Sequence, residues 1–323
     1  GALELAGRVY PALRPRRYEP AALDLDEALD GAHLVLVHEW NAPELVRRVG
    51  EHRLKSSSTY RLLFHDTHHR SVTDPEAMAR YDLSGYDGVL AFGAALKAVY
   101  EARGWSRRTF VWHEAADVRI FSPPIQPVRP RGDVVWIGNW GDEERAAELS
   151  EMLLEPVRDL GLVARVHGVR YPEAALRRLE EHGITYGGWL PNFCAPAAFA
   201  EHTMTVHVPR RPYARALPGI PTIRVFEALA CGIPLISAPW DDVERLFRPG
   251  EDFLVARDGA QMRSHMRLLL RDSDARRTLT SSGRATILRR HTCAHRVDEL
   301  CSIARDLGVR QSATRSISEG ASA

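Results

Sequence analysis

The sequence predicts an α/β protein of two doubly wound parallel sheets that face each other across a cleft. Three observations carry this prediction. From residue 33 onward, short β-rich runs alternate with longer runs of helical spacing. The β-rich runs are nearly continuous in apolar residues, as strands covered on both faces must be. Between two sets of such runs stands "SPPIQPVRPRG", residues 122–132, where four prolines in eleven positions mark a linker.

The chain opens on "GALELAGRVYPALRPRRYEP", which starts in mid-pattern, so the first domain is expected to lack its first strand. "HLVLVHE" (33–39), "YRLLFHD" (60–66), "DGVLAFG" (87–93) and "TFVWHEA" (109–115) read as its strands, with helical spacing between them. After the linker the pattern restarts with strands at 133–138, 162–168, 184–188, 204–209, 234–238 and 252–256. Helices follow at 258–270, 273–289 and 295–307, and the small polar residues beyond them read as a disordered tail. The expected domains are therefore 1–123 and 133–308, both Rossmann-like, with a linker at 124–132 and a tail at 309–323. By rule, open parallel sheets bind ligands at the carboxyl ends of their strands.

Composition narrows the function. A chain of 323 residues is long enough for two cores, and 45% hydrophobic with 26% charged residues is ordinary for a soluble globular protein. A net charge of +1 offers no electrostatic reason to expect nucleic acid or an anionic membrane as partner. The basic run "RPRR" at 14–17 lacks aromatic interleaving and reads as solvated. Cys194, Cys231, Cys293 and Cys301 form no CxxC pair, which suits free thiols in a reducing cytoplasm. No apolar run reaches the roughly 20 residues that span a bilayer. A nucleophile elbow and a G-x-x-x-x-G-K-[ST] loop are both missing, against a serine hydrolase and a nucleotide triphosphatase.

The most informative stretch is "PTIRVFEALACGIPLIS", residues 221–237. Pro221 and Thr222 suit a helix start, Gly232 a left-handed stop, and Pro234 prevents resumption. Arg224 and Glu227 then stand near the start of an otherwise apolar helix. One reading is an i,i+3 ion pair worth only about 0.2–0.5 kcal/mol. The other is an anion site, with free N–H groups, a positive helix end and Arg224 beside them, and Glu227 free to accept hydroxyl protons.

"RVFEALACGIPLIS" resembles the donor-site segment of GT-B type glycosyltransferases of the "glycosyl transferases group 1" kind. "DVRIFSPP" (117–124) is similar to the element that ends the first domain in that family, "VVWIGNWGDEER" (134–145) to the first strand and glycine loop of the second, and "GGWLPN" (187–192) to the turn that receives the base. "FHDTHHRS" (64–71) falls where the acceptor-facing loop lies and is similar to the CgeB-like branch. Many relatives carry a second glutamate eight positions before the ribose-binding one; that position is Gly219 here. The resemblance implies a hexosyltransferase-like enzyme, cytoplasmic, metal-independent and retaining. It needs no cofactor beyond a nucleotide-diphosphate sugar as donor substrate, and its partners are that nucleotide sugar and a sugar, lipid or small-molecule acceptor. The first domain would hold the acceptor and the second the donor. Glu227 would hold the ribose, and backbone around Thr222, Ile223 and Arg224 the diphosphate. Arg224, and Arg210 or Arg211 after the preceding strand, would add charge-assisted bonds. Gly138, Asn139 and Trp189 complete the donor side.

Among the other candidates, His65 and Asp66 are the catalytic choices on the acceptor side, Asp66 as a general base toward an acceptor hydroxyl. His68 and His69 match no strong zinc spacing. His113 and Glu114 follow a strand and border the cleft or bond structurally. Gly138 suits close backbone approach or a plain turn, and Trp189 stacks on a base or packs. Two other functions fit the same fold: a nucleotide-sugar epimerase, and a non-catalytic interaction protein on a transferase scaffold.

Overall fold

The structure, a computed structural model, describes residues 2–55, 60–141 and 144–309. The expected tail beyond residue 309 lies outside the described residues. All ten expected strands form: β1 (Leu34–His38), β2 (Arg61–Asp66), β3 (Gly88–Ala91), β4 (Thr109–Val111), β5 (Gly132–Ile137), β6 (Ala164–His167), β7 (Ile184–Tyr186), β8 (His202–His207), β9 (Leu235–Ser237) and β10 (Leu254–Val255). β4 is shorter than its apolar run suggests. Beyond Val111 the chain leaves the ladder, and Ala116 bridges to Thr292 instead.

The first sheet has the order β1-β2-β3-β4, all parallel. Alternation along β2 divides its side chains between two layers. Leu62 and Phe64 join Val46, Leu96 and Tyr100 on one side. On the other, Leu63 and Leu90 receive Ile303 and Leu307 from the chain end. The helix Cys293–Asp306, grouped with the second domain by sequence, thus packs on the first sheet. A capping box between Thr292 and His295 starts it, and Trp112 Nε1 donates to the Arg296 carbonyl at 2.8 Å.

The second sheet has the order β10-β9-β8-β5-β6-β7, again all parallel. β5 is central, and the chain winds outward first through β6 and β7, then through β8, β9 and β10. The reversal falls between β5 and β8, and such a switch point opens a crevice at the carboxyl ends of the two strands.

Residues 122–131 cross between the sheets without helix or strand. The two units are fastened elsewhere as well. Leu217 and Ile220, from the segment after β8, are buried in the apolar cluster of the first sheet. Gly93 makes room for Ile220: a Cβ there would stand 2.4 Å from Ile220 Cγ1.

Candidate active site

The helix Ile223–Cys231 begins at the switch-point crevice. Its N-cap, Thr222, makes no side-chain cap bond; the hydroxyl instead pairs with His207 Nε2 at 3.2 Å. The first N–H groups of the helix are left without that partner, at the positive end of its dipole. Gly232, at φ 69°, ends the helix, and its N–H returns to the carbonyls of Ala228 and Leu229. Everything from Val225 to Cys231 is buried.

Glu227 is 2% exposed. One carboxylate oxygen accepts from Asn192 Nδ2 at 2.7 Å and the other from Arg224 Nη1 at 2.5 Å. The same Arg224 nitrogen donates to Asn192 Oδ1 at 3.0 Å, so the three side chains close a ring. Burial pushes the Glu227 carboxyl up, and Arg224 and Asn192 pull it back. The ion pair and the free helix end therefore exist together. The loop that ends in Asn192 also carries Trp189, which is 61% exposed.

The turn after β5 supplies the opposite wall of the crevice. The Gly138 carbonyl accepts from Tyr171 Oη at 2.8 Å, and a Cβ at Gly138 would stand 2.9 Å from the Trp136 ring. Asn139 Oδ1 accepts from the Val169 N–H at 3.2 Å. Its backbone carbonyl accepts from Arg145, whose Nη1 also donates to the Val208 carbonyl at 2.9 Å. The Arg145 guanidinium lies 5.0 Å from the Trp136 ring centre. Burial lowers it to about 10, which leaves it charged. Arg210, after β8, pairs with Glu144 at 3.0 Å.

The first unit meets these groups through the loop after β2. Glu144 lies 3.6 Å from His69 Nε2, and the His69 ring is 5.1 Å from that of Tyr213. The His68 ring lies 4.1 Å from His69 and 5.3 Å from the exposed Trp40. Burial and neighbouring positive charge hold both histidines near 4, hence neutral at pH 7. The general-base expectation for Asp66 is corrected. Its carboxyl is sealed from solvent, accepts from Tyr100 Oη at 2.8 Å and from the His68 N–H at 3.0 Å, and so braces the loop. Burial raises it to about 6. His65, one residue earlier, faces the other side of the sheet, edge-on to Trp112 at 4.9 Å. The structure brings His68 and His69, rather than His65 and Asp66, to the second unit.

Of the pair after β4, His113 bonds Glu244 at 2.9 Å, and Glu244 also accepts from the Ala94 N–H at the start of the helix Ala94–Arg103. Glu114 has Oε2 buried and without a partner among the described residues, and burial, with the Glu227 charge adding to it, raises its carboxyl to about 8. At Gly219, φ is +88°, a conformation that strains any L side chain, and a Cβ would stand 2.9 Å from Val243. Asn192, Arg145, Glu144 and Tyr213 escaped sequence reasoning as individual site members. Only Arg145 left a signal there, as the first basic residue after β5. Among the described residues, no group of three or more His, Cys, Asp or Glu is placed to hold a metal.

Comparison with known proteins bears on the family and the fold. Residues 145–302 match a family described as glycosyl transferase-like. No match to the sequence is found among curated proteins. Among solved structures, the chain is similar to a sucrose-phosphate synthase from Thermosynechococcus elongatus, with TM-score 0.64 and 16% identity over 87% of this chain and 75% of that one. It is also similar to HepE of Anabaena in complex with UDP and glucose, with TM-score 0.63 and 14% identity over 85% of this chain and 78% of that one. The T4 phage BGT in complex with its UDP-glucose substrate aligns with TM-score 0.61 and 13% identity, covering 90% of this chain and 85% of that one. The fold is GT-B. Matched segment and fold together support a glycosyltransferase.

Proposed function

We propose that this enzyme transfers a sugar from a UDP-sugar to an acceptor hydroxyl, with the donor held at the start of the helix Ile223–Cys231. The observation that carries the reading is the uncapped helix end at the switch point with Arg224 and Glu227 beside it. UDP is the nucleotide in the complexes of HepE and of the T4 phage BGT.

In this reading the donor diphosphate lies on the first N–H groups of the helix, where the dipole favours negative charge. Arg224 turns from Glu227 to the diphosphate, and the carboxylate accepts the two ribose hydroxyls in its place. Asn192 continues to orient it. Arg210 and Arg145 raise the positive potential of the crevice. As the bond from C1 to the diphosphate oxygen breaks, Arg224 strengthens its hold on the growing charge. The acceptor oxygen bonds to C1 on the same face, and its proton passes to the departing diphosphate. Configuration is then retained, no protein nucleophile is used, and protein cations serve where a metal would. The neutral His68 and His69 face the acceptor, which keeps the likeness to the CgeB-like branch within the proposal. Free thiols at all four cysteines favour a cytoplasmic enzyme.

A thermal-shift screen against UDP, GDP and ADP and their sugars, with and without a chelator, tests this. UDP compounds should raise the melting temperature in both conditions, because a ligand that binds the native state stabilises it. A shift from none of them would overturn the reading. A shift abolished by the chelator would overturn its metal-independent part.

A further inference from the structure

The turn after β1 carries a side chain that neither the core nor the reaction above uses. Trp40 is 65% exposed and belongs to none of the apolar clusters among the described residues. An exposed side chain is ordinarily free to swing, yet this one is held from several sides. The Tyr81 hydroxyl reaches the carbonyls of both Glu39 and Asn41, at 2.8 and 3.2 Å, and so fixes the backbone on either side of it. The Trp40 N–H donates to His38 Nδ1 at 3.3 Å. The Arg70 guanidinium lies 5.3 Å from the indole centre. Arg70 is itself anchored on Glu39, a fully buried residue whose carboxylate and carbonyl both accept from it. The His68 ring stands nearly perpendicular to the indole, with 5.3 Å between centres. The result is a flat apolar platform, open to solvent and fixed in advance, so a ligand that lands on it need not immobilise it.

We infer that the acceptor is a carbohydrate and that Trp40 binds it, one face of a pyranose ring stacked on the indole. This rests on the transferase reading above. The position suits it: Trp40 follows the carboxyl end of β1, and the contact to His68 continues through His69, 4.1 Å further, to Glu144 of the second unit at 3.6 Å. The chemistry suits it as well. A pyranose with mainly equatorial hydroxyls shows one apolar face of C–H groups and a polar rim. The face covers the indole and leaves water, as apolar surface does on aromatic rings. The rim hydroxyls on the His68 side then point toward the crevice where the donor is held. An alkyl chain gains less, because one flat ring covers only one side of it.

The test is saturation-transfer NMR on the UDP-loaded chain with the methyl glycosides of glucose, galactose, mannose and N-acetylglucosamine, and with n-octanol as an alkyl probe. The parent should transfer saturation to at least one glycoside, most strongly to the C–H protons of one ring face. Trp40→Ala should weaken that glycoside at least about fivefold, from the lost apolar contact, and leave UDP within about twofold. Trp40→Phe, which keeps an aromatic face, should retain most of the glycoside affinity. Should the alanine variant fail to fold, Trp40→Leu, apolar but not flat, carries the same expectation of a loss confined to glycosides. A parent that binds UDP but no glycoside, equal glycoside affinity in parent and alanine variant, or equal loss of UDP and glycoside overturns the assignment of Trp40 alone. Binding of n-octanol in preference to every glycoside overturns the carbohydrate class. A parent that binds no UDP compound overturns the transferase reading and this assignment with it.

Discussion

Arg224 and Glu227 show why two opposed readings of one motif can both hold. The side chains are paired, yet the pair is 22% exposed on the arginine side and stands at an uncapped helix end. A ligand anion can draw the arginine away where ribose hydroxyls replace it on the carboxylate, which keeps its bond from Asn192. Without the arginine the same carboxylate becomes a buried, half-satisfied charge. Arg224→Ala should therefore destabilise the fold by about 3 kcal/mol near neutral pH. The sign of its pH dependence follows from linkage. Glu227 is already raised above its ordinary value, and losing Arg224 raises it further. The folded state then holds a proton that the unfolded state sheds, so stability falls as pH rises from about 4.5. Urea unfolding of the variant at pH 5 and pH 8 checks this: its deficit against the parent should be larger at pH 8, and an equal deficit at both would deny the buried-charge account. Arg224 and Glu227 were legible because a helix start, its stop and the i,i+3 spacing are local. Asn192 was not, since it reaches the helix only through the tertiary fold.

At the scale of elements, the strands were legible because burial on both faces leaves a continuous apolar run. Their exact ends were set by pairing: β4 stops at Val111 as the chain departs toward Thr292. The helix Cys293–Asp306 teaches a different limit. Its periodicity marks an apolar face, but periodicity does not say which sheet that face will cover. The answer is the first sheet, through Ile303 and Leu307 on Leu63 and Leu90. Ile303→Ala should cost about 2–4 kcal/mol by opening a cavity in that layer. Hydrogen exchange should show the loss of protection spreading into β2 and β3, whereas loss confined to the second sheet would contradict this packing. Asp66 belongs to the same lesson. A strand-end carboxylate is a natural base candidate in sequence, and only the packing of Tyr100 shows it to be a brace.

For the whole molecule, the two units are bound by more than the linker. Leu217 and Ile220 enter the first core, and the loop after β2 reaches Glu144 across the crevice. The candidate site thus draws on both halves: an uncapped helix end from one, and the histidines after β2 from the other. A proline-rich break and two runs of alternating elements sufficed to predict facing sheets. Which loops would meet depended on the reversal of strand order between β5 and β8, a property of the assembled sheet. The central claim is that a nucleoside diphosphate binds at the start of the helix Ile223–Cys231. It is tested most directly by calorimetric titration of UDP into the parent chain and into Glu227→Ala at matched folded fraction. The account predicts one site in the parent and an affinity at least about tenfold weaker in the variant, from the lost ribose bonds. Equal affinity in the two proteins would contradict it.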